Sequence, residues 1–285
     1  MKILLTGHKG FIGSHLLRSL ENQYEVICAD KKENLDLCDQ ALTESLPDCD
    51  VVVHLAAING TKLFYDIPFD VATNNLLPTV NLLNRYRNTD TKFIFASTCE
   101  IFNGATDLFN YKIPTDEKVP VVFDDILNPR WSYSLPKALG ENLVANSGLN
   151  WTILRFFNIY GPGQIDHFIP EFVNRVLNQK IQIVGNDTRS FCYVDDAVKL
   201  TRNLIENCPN QIINVGNDEE FEIAYVARKI LKIMEIDPSL LEILPGKKGS
   251  ARRRCPDISI AKKLTNFDSF TPIETGLKHT IASLL

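Results

Sequence analysis

The turn near the start of the chain constrains the fold more than any other feature of the sequence. Residues 2–6 predict a strand and residues 11–21 an amphipathic helix, and Gly7, Gly10 and Gly13 mark the junction with GxxGxxG spacing. Glycines let the backbone turn tightly and approach a pyrophosphate, whose charge is favoured at the N-terminus of a helix. The order of strand, turn and helix therefore predicts a dinucleotide-binding site.

A carboxylate at the end of the second predicted strand favours NAD over NADP as the cofactor. Asp30 follows the apolar run 24–29, 17 residues after Gly13. An acidic side chain at this position accepts hydrogen bonds from the adenosine ribose hydroxyls and repels a 2′-phosphate. Lys31 and Lys32 come next and could weaken that preference. The other interpretation of Asp30 is a cap of the strand end.

Strand-like runs alternate with amphipathic stretches along most of the chain. This alternation predicts an α/β fold, a Rossmann-type doubly wound parallel sheet with a smaller C-terminal substrate-binding lobe. The predicted strands are residues 2–6, 24–29, 51–55, 92–97, 151–155, 181–184 and 211–215. The predicted helices are residues 11–21, 71–87, 132–146, 168–178, 195–206, 222–235 and 273–284.

Two domains are expected, because the alternation loosens after position 158. We expect residues 1–158 and 189–216 to form the domain that binds NAD, with the second segment returning to the sheet. Residues 159–188 and 217–285 are expected to form the substrate-binding lobe. The stretch 103–130 is rich in Pro, Asp and Asn and is predicted to be a long loop, a feature that is usually functional in a compact domain.

The composition is that of an ordinary globular protein and excludes several classes of function. The chain has 285 residues, of which 45% are apolar and 23% charged, and a net charge of −5. No long basic run is present, so neither nucleic acid nor an anionic membrane is an expected partner; the cluster 252–254 fits a small anion. The sequence has no signal segment, no apolar run of membrane-spanning length and no CxxC pair among its seven cysteines. We therefore expect a cytoplasmic protein with free thiols and no metal site.

A tyrosine and a lysine four residues apart lie at the start of the predicted helix 132–146. This spacing places Tyr133 and Lys137 on one face of the helix. An adjacent ammonium stabilises a phenolate, so the pKa of Tyr133 is expected to fall toward neutrality, and the tyrosine could take a proton from a sugar hydroxyl while hydride leaves the carbon. Pro136 lies between the two residues, which predicts that the pair belongs to a first helical turn. Such a pair is common on surface helices, and only the glycine turn makes it indicate a redox site.

Several further motifs accompany the glycine turn and the tyrosine–lysine pair. They are Asp36-Leu37, His54-Leu55-Ala56-Ala57, Asn75, Ser97-Thr98-Cys99-Glu100-Ile101-Phe102, Arg155-Phe156-Phe157-Asn158-Ile159-Tyr160-Gly161-Pro162-Gly163 and Arg189-Ser190-Phe191-Cys192-Tyr193-Val194-Asp195-Asp196. With these motifs, nearly the whole chain resembles the extended short-chain dehydrogenase/reductase family of nucleotide-sugar epimerases and dehydratases. The resemblance implies NAD as the cofactor, a nucleotide-diphosphate sugar as the partner, and transient oxidation of the sugar at C4.

The resemblance also implies roles for individual residues. Thr98 is expected to hydrogen-bond the reacting hydroxyl, Tyr133 to act as the base, and Lys137 to hold the nicotinamide ribose and tune the tyrosine. The remaining cofactor contacts are expected at Gly7, Gly10, Phe11, Ile12, Gly13, Asp30, Lys31, Asp36, Leu37, Leu55, Ala56, Ala57, Asn75, Ser97 and Phe156. The substrate is expected to contact Asn59, Thr98, Asn158, His167, Phe168, Ile169, Arg189 and Arg254.

The residues after Thr98 bear on the fate of the C4 ketone. Thr98-Cys99-Glu100 resembles the strand-end motif of dehydratases and of uronic-acid decarboxylases, whereas many epimerases carry small residues at the position of Glu100. A carboxylate in a closed, partly dry pocket is a competent base. We therefore favour dehydratase chemistry in which Glu100 removes the proton at C5. Cys99, whose thiol is protonated at neutral pH, is either the acid for the leaving hydroxyl or a passive small residue.

Three other outcomes for the ketone stay open, together with a role without catalysis. A 4-epimerase needs only Thr98 and Tyr133. Arg254-Cys255-Pro256 resembles a segment of UDP-uronic acid decarboxylases, and His167 resembles the acid histidine of a 4-keto reductase branch. A non-catalytic NAD-binding sensor of this fold has often lost the tyrosine or the lysine, and both are present.

The assembly is expected to be a homodimer. The predicted helices 71–87 and 132–146 carry apolar faces beyond what one sheet needs. The family that the chain resembles commonly dimerises through these two helices.

Overall fold

The computed structural model describes residues 1–207, 209–246 and 253–285. Cys208, for which a free thiol is expected, and Arg252 of the basic cluster lie outside the described residues. The strands are Lys2–Thr6 (β1), Glu25–Ala29 (β2), Val51–His54 (β3), Lys92–Thr98 (β4), Asn150–Phe156 (β5), Ile159–Tyr160 (β6), Gln182–Val184 (β7), Thr188–Ser190 (β8), Cys192–Tyr193 (β9), Gln211–Val215 (β10), Glu220–Glu222 (β11), Glu242–Leu244 (β12) and Arg253–Arg254 (β13).

The helices alternate with the longer strands. They are Phe11–Leu20 (α1), Gln40–Glu44 (α2), Thr61–Asp66 (α3), Pro68–Tyr86 (α4), Asn103–Phe109 (α5), Trp131–Ala145 (α6), Phe168–Leu177 (α7), Val194–Asn207 (α8), Ile223–Ile233 (α9), Ser259–Thr265 (α10) and Ile273–Ala282 (α11). None of these described helices is long and apolar enough to cross a membrane.

Six parallel strands form the central sheet in the order β10-β5-β4-β3-β1-β2. Both faces of the sheet are covered, which explains why its strands are rich in Val, Ile and Leu. Successive side chains of a strand point to opposite faces, so Ile3 and Leu5 join the core beneath α1 and α8, whereas Leu4 joins the core beneath α4 and α6. The predicted α/β fold with a doubly wound parallel sheet is confirmed.

The strand order reverses at β1, because β2 lies on one side of it and β3 on the other. In open α/β sheets, ligands bind at such a switch point, outside the carboxyl ends of the strands. The glycine turn follows β1 and residues 55–57 follow β3. Both segments therefore lie at the crevice where a dinucleotide is expected.

Within the described residues, three small sheets lie outside the central one, in the orders β11-β8-β13, β12-β7 and β6-β9. Arg189 in β8 and Arg254 in β13 are partners in register. Strand pairing therefore brings together two predicted substrate residues from distant parts of the sequence. The assignment of the chain to two domains stays a prediction.

The structure corrects two local predictions. Residues 103–109 are not the start of a long loop but the helix α5, because the 3-10 helix Cys99–Phe102 continues directly into it. The predicted confinement of Pro136 to a first helical turn is wrong, since α6 begins at Trp131 and the proline falls in the second turn. Having no N–H, Pro136 cannot donate to the carbonyl of Ser132.

Candidate active site

The glycine turn forms a close-packed cradle at the N-terminus of α1. Gly7 has a φ of +73°, and a Cβ on it would lie 2.7 Å from the Ala56 backbone. A Cβ on Gly13 would lie 2.1 Å from the carbonyl oxygen of Gly7. Gly10 caps α1 without a side chain, so the cap itself supplies no side-chain acceptor to the N–H groups of the first turn. The close approach and the available N–H groups fit the pyrophosphate of a dinucleotide.

Asp30 caps the turn that follows β2. Its Oδ2 accepts a hydrogen bond from the N–H of Lys9 at 3.0 Å, and its Oδ1 accepts one from the N–H of Lys32 at 2.9 Å. The capping interpretation of Asp30 therefore describes a real contact. It does not compete with ribose binding, because each carboxylate oxygen has a second lone pair that can accept from a hydroxyl.

Two of the expected cofactor residues, Lys31 and Asp36, contact each other. Lys31 Nζ lies 2.7 Å from Asp36 Oδ2, and this hydrogen bond lowers the pKa of Asp36 despite partial burial. Leu37 is buried, and its carbonyl accepts from Asn81 Nδ2 at 2.9 Å. Because Asp36 pairs with Lys31, the ammonium that follows Asp30 is directed toward the Asp36 carboxylate.

Backbone contacts shape the channel that follows β3. The N–H of Ala56 donates to Thr6 Oγ1 at 3.1 Å, and the same hydroxyl meets His54 Nδ1 at 2.8 Å. Asn75 accepts from the N–H of Ile58 at 3.1 Å and donates to its carbonyl at 2.9 Å. Asn75 therefore positions this segment through its backbone. Leu55 and Phe156 are half-buried at the ends of β3 and β5, and Ala57 is exposed.

Tyr133 and Thr98 meet at the end of β4. The Tyr133 side chain is buried, lies beside Thr98, and stacks on Phe64 with ring centres 5.3 Å apart. Thr98 Oγ1 also accepts from the N–H of Glu100 at 3.2 Å, which caps the 3-10 helix. The two predicted catalytic hydroxyls are thus adjacent, and a ring stack fixes the plane of the tyrosine.

The prediction that the pKa of Tyr133 falls is wrong when only the protein's own groups act on the tyrosine. Burial raises this pKa, and Glu100 and Cys99 add to the rise. The Lys137 ammonium donates to the Ala96 carbonyl at 2.8 Å and lies 6.0 Å from the centre of the tyrosine ring. Burial lowers the pKa of Lys137 to about 7. The lysine is therefore easily neutralised at physiological pH.

Glu100 is held by two arginines from distant segments. Its Oε1 lies 2.5 Å from Arg254 Nη1, and its Oε2 lies 3.5 Å from Arg130 Nη2 and accepts from Asn103 at 2.9 Å. Burial alone would raise the pKa of Glu100, but the charges of Arg254, Arg130 and Arg189 outweigh it and hold the pKa below its usual range. A paired carboxylate of low pKa is a weak general base, which counts against the expected role of Glu100 at C5.

Cys99 lies in a small apolar core and is buried among Ile101, Phe102 and Phe157. Burial raises the pKa of its thiol to about 11, and Glu100 adds to the rise. An acid this weak is a poor proton donor to a leaving hydroxyl at neutral pH. The passive interpretation of Cys99 therefore fits the structure better.

The predicted substrate residues fall into two groups. Asn59 Nδ2 and His167 Nε2 lie 3.4 Å apart, and His167 has an unfavourable φ of +74°. The buried Nδ2 of Asn158 has no protein partner among the described residues, which fits a ligand acceptor. In contrast, Ile169 is part of the main apolar core and Phe168 packs against that core, so their expected contacts with substrate stay predictions.

Two residues that contact the site were not predicted from the sequence. Arg130 contacts Glu100 and stands three residues before Tyr133, one helical turn away, a spacing that could have indicated it. Phe64 stacks on the tyrosine from α3, and no local pattern points to that contact. Ser97, expected at the cofactor, donates its hydroxyl to Glu141 at 2.5 Å.

The fold and the site together define a class of protein. A glycine cradle at the switch point of a parallel sheet, with adjacent Thr98 and Tyr133 hydroxyls and Lys137 one turn further along α6, belongs to enzymes that use a bound dinucleotide for hydride transfer. Residues 3–216 match the sequence model of the NAD dependent epimerase/dehydratase family. The chain belongs to this family and is an NAD-dependent nucleotide-sugar enzyme of the extended short-chain dehydrogenase/reductase type, as the resemblance implied.

Uronic-acid decarboxylases are among the similar curated proteins. UDP-N-acetyl-alpha-D-glucosaminuronate decarboxylase of Bacillus cytotoxicus is 31% identical, with 98% of this chain and 96% of the relative covered. UDP-glucuronic acid decarboxylase 3 of Arabidopsis thaliana is 30% identical, over 97% of this chain and 87% of the relative.

Epimerases are among the similar solved structures. UDP-glucuronic acid 4-epimerase of Bacillus cereus, in complex with UDP-glucuronic acid and NAD, superimposes with a TM-score of 0.84 at 27% identity, covering 100% of this chain and 99% of that one. UDP-glucose 4-epimerase of Thermotoga maritima, with UDP-glucose, gives a TM-score of 0.84 at 28% identity, covering 99% and 98%.

Proposed function

We propose that the chain decarboxylates a UDP-linked uronic acid. Arg254 bonds Glu100 through Nη1, and its buried Nε has no partner among the described residues. A buried donor without an acceptor costs free energy unless a ligand supplies one. A carboxylate on the sugar ring would accept from this guanidinium, and planar guanidinium groups suit carboxylates. This donor carries the proposal, and the names of the curated decarboxylases support it.

Oxidation at C4 uses the groups at the end of β4. Bound NAD would supply a reversible hydride acceptor for C4, so the full cycle would bring no net redox change. The phenolate form of Tyr133 takes the proton of the C4 hydroxyl, and Thr98, which lies beside Tyr133, holds the same hydroxyl. A protonated Lys137 favours the phenolate that this step requires, and its pKa of about 7 leaves part of the population charged at neutral pH.

The ketone at C4 turns a C6 carboxylate into a β-keto acid. The C5–C6 bond then breaks, carbon dioxide leaves, and the bonding electrons pass into an enolate whose charge rests on the C4 oxygen. The hydroxyls of Thr98 and Tyr133 are the donors that stabilise this charge. A proton adds at C5, and Tyr133 returns its proton to the C4 oxygen as the ketone is reduced back to the alcohol. The sum is one uronate and one proton giving one pentose and one carbon dioxide.

Dehydration needs two groups that decarboxylation does not. It requires a base for the proton at C5 and an acid for the hydroxyl at C6. Arg254 and Arg130 hold the pKa of Glu100 low, and burial raises that of Cys99 to about 11. Both shifts oppose these roles, whereas loss of carbon dioxide needs only an oriented carboxylate. The charges at Glu100 therefore favour decarboxylation over the dehydratase chemistry expected from the motif.

Incubation with UDP-glucuronic acid and UDP-N-acetylglucosaminuronic acid, read by mass spectrometry, tests the proposal. We expect a UDP-sugar that has lost carbon dioxide, with NAD unchanged overall. Arg254→Met should lower kcat/KM on the uronate on the order of a hundredfold, because it removes one partner of a desolvated charge pair. Arg253→Met is the matched control, since its neighbouring, more exposed side chain pairs with Glu220. Loss of water in place of carbon dioxide would contradict the proposal.

A UDP-uronic acid 4-epimerase is the second candidate. The similarity to the Bacillus cereus enzyme solved with UDP-glucuronic acid and NAD supports it. An epimerase would use the same arginine subsite but keep the carboxylate throughout. The same incubation separates the two, because an epimerase returns unchanged mass with an inverted C4 centre in the proton spectrum.

We infer that the enzyme is a cytoplasmic homodimer. Leu77 on α4 and Leu139 on α6 are exposed apolar residues on two helices that pack side by side. Cysteines in the described residues are free thiols, which suits a reducing compartment. Light scattering should give twice the chain mass, and a Leu77→Glu, Leu139→Glu double variant should give the monomer. A parent protein that is monomeric at all concentrations would contradict this assembly.

A further inference from the structure

A buried polar network joins the end of β4 to α6 and β5. Ser97 Oγ donates to Glu141 Oε1 at 2.5 Å. Arg155 binds the same carboxylate with a two-pronged contact, from Nε to Oε1 at 2.9 Å and from Nη2 to Oε2 at 2.7 Å. Ser97 and Arg155 are each 3% exposed, and Glu141 is 7% exposed. Water is therefore largely excluded from these hydrogen bonds, and their electrostatic strength is greater than it would be in solvent.

The network extends from Arg155 toward the segment that carries Arg254. Arg155 Nη1 donates to the carbonyl of Glu117 at 3.1 Å, and Glu117 Oε1 accepts from the N–H of Asn214 at 3.0 Å. The Asn214 side chain in turn donates to the carbonyls of Thr115 and Asp257 at 3.0 and 3.1 Å. The Arg155 guanidinium therefore links Glu141 on α6 to Glu117, and through Asn214 to the segment that follows Arg254.

The positions of these residues relative to the reacting groups suggest what the network does. Ser97 directly precedes Thr98 on β4. Glu141 follows Lys137 by four residues and Tyr133 by eight, so all three lie along one face of α6. We propose that Glu141 and Arg155 are positioning residues, which set α6 against the end of β4 so that Tyr133 and Thr98 address the same substrate hydroxyl.

A purely stabilising role would not need charges at these positions. Replacing a buried ion pair by apolar side chains of similar volume is often neutral or stabilising, so such a pair is weak evidence for stability. An apolar pair cannot reproduce the fixed angles of the guanidinium–carboxylate contact or the bond to Ser97. A displacement of about 1 Å at a reacting group can lower a rate on the order of a hundredfold.

The test compares a Glu141→Leu, Arg155→Met double variant with the parent holoenzyme. The double variant keeps the packing volume and removes the directed bonds. We expect it to fold with a urea midpoint close to the parent's, and to form NADH in a single turnover on the order of ten- to a hundredfold more slowly. The KM for the nucleotide sugar should change less than about threefold, because no residue of the pair touches substrate. A single-turnover rate constant does not depend on the fraction of folded enzyme.

Two further variants make each outcome decisive. Ser97→Ala removes one hydroxyl without changing charge, and should slow NADH formation while leaving NAD affinity unchanged, which separates positioning from direct cofactor contact. Arg85→Met with Asp48→Leu is the matched control. This arginine–carboxylate pair lies away from the site, where Arg85 also donates to the Leu46 carbonyl. A folded Glu141–Arg155 double variant with the parent rate constant would overturn the proposal. If that variant does not fold, a Ser97→Ala variant with the parent rate constant overturns it.

The inference rests on hydride transfer at C4 and not on the loss of carbon dioxide. The substrate for the test is whichever UDP-sugar gives transient NADH absorbance with the parent. A parent that oxidises a sugar but releases no carbon dioxide would contradict the proposed function and leave this comparison intact.

Discussion

Replacing Lys137 by methionine should stabilise the fold while removing activity. The side chain is 1% exposed, and burial lowers its pKa from 10.5 to about 7. At about 1.36 kcal/mol for each pH unit, this difference corresponds to about 5 kcal/mol in the free energy of unfolding. Methionine keeps the length of the stem and the contacts with the rings of Phe95 and Tyr133. The variant should therefore gain stability of this order.

The sign of the pH dependence follows from proton uptake in the two states. Above pH 10.5 the lysine is neutral in both states and its burial adds no ionic cost. Between pH 10.5 and about 7 the unfolded chain holds a proton that the folded protein lacks, so the parent loses stability as the pH falls. Below pH 7 both states hold the proton and the full cost is present. The gain of the methionine variant should be greatest at and below pH 7.

Urea unfolding at pH 7 and at about two pH units higher measures this gain. The difference in unfolding free energy between variant and parent should shrink by about 2.3 kcal/mol at the higher pH, because the folded-state lysine is half protonated at pH 7. Titrations with and without saturating NAD separate cofactor binding from the effect of the lysine. Lys62→Met is the control, because the Lys62 side chain is 89% exposed. An equal gain at both pH values would refute burial of the charge as its cause.

Three further results are expected. Gly13→Ala should abolish NAD binding in a fluorescence titration, because its Cβ would lie 2.1 Å from the Gly7 oxygen. The control is Gly148→Ala, where the Cβ enters open space at φ +84°. This variant should lose only about 1 kcal/mol of unfolding free energy and bind NAD normally. His54→Gln should reduce the sensitivity of the fold to acid. Burial lowers the His54 pKa from 6.5 to about 3, so the parent loses stability as the pH falls through that window. The urea midpoints at pH 7 and pH 4.5 should therefore converge for the variant, and an unchanged difference would contradict this. Tyr133→Phe should slow NADH formation on the order of a thousandfold yet leave the urea midpoint nearly unchanged, because the ring keeps its stack on Phe64; full activity would exclude the tyrosine as the base.

The parts of the site that sequence predicts correctly depend on contacts close along the chain. The glycine cradle needs only β1, the turn and α1, and its glycines appear in the sequence at the spacing that the turn requires. The central sheet follows from the alternation of apolar runs with amphipathic helices. Tyr133 and Lys137 share a helix face because the period of a helix fixes their relation.

The parts that sequence misjudges depend on contacts between distant segments. Glu100 follows a strand end that resembles that of dehydratases, but its charge state depends on Arg254, which β13 brings beside β8 through strand pairing. The pKa of Tyr133 was expected to fall because Lys137 is near in sequence. The lysine instead donates to the Ala96 carbonyl across the gap between α6 and β4, and burial determines the pKa of the tyrosine. Neither contact has a local signature.

The contact between Arg254 and Glu100 links the choice of substrate to the choice of reaction. A guanidinium that pairs with Glu100 makes that carboxylate a poor base and at the same time would offer a donor to the carboxylate of the proposed substrate. Weakening the base disfavours removal of the C5 proton, and binding the sugar carboxylate selects the one substrate that can react at C5 without a base. The same ion pair would therefore exclude one branch of the chemistry and favour the other. Glu100→Gln separates the two effects, because it should leave Arg254 charged and uronate binding intact while dehydratase activity, if Glu100 were its base, would be lost.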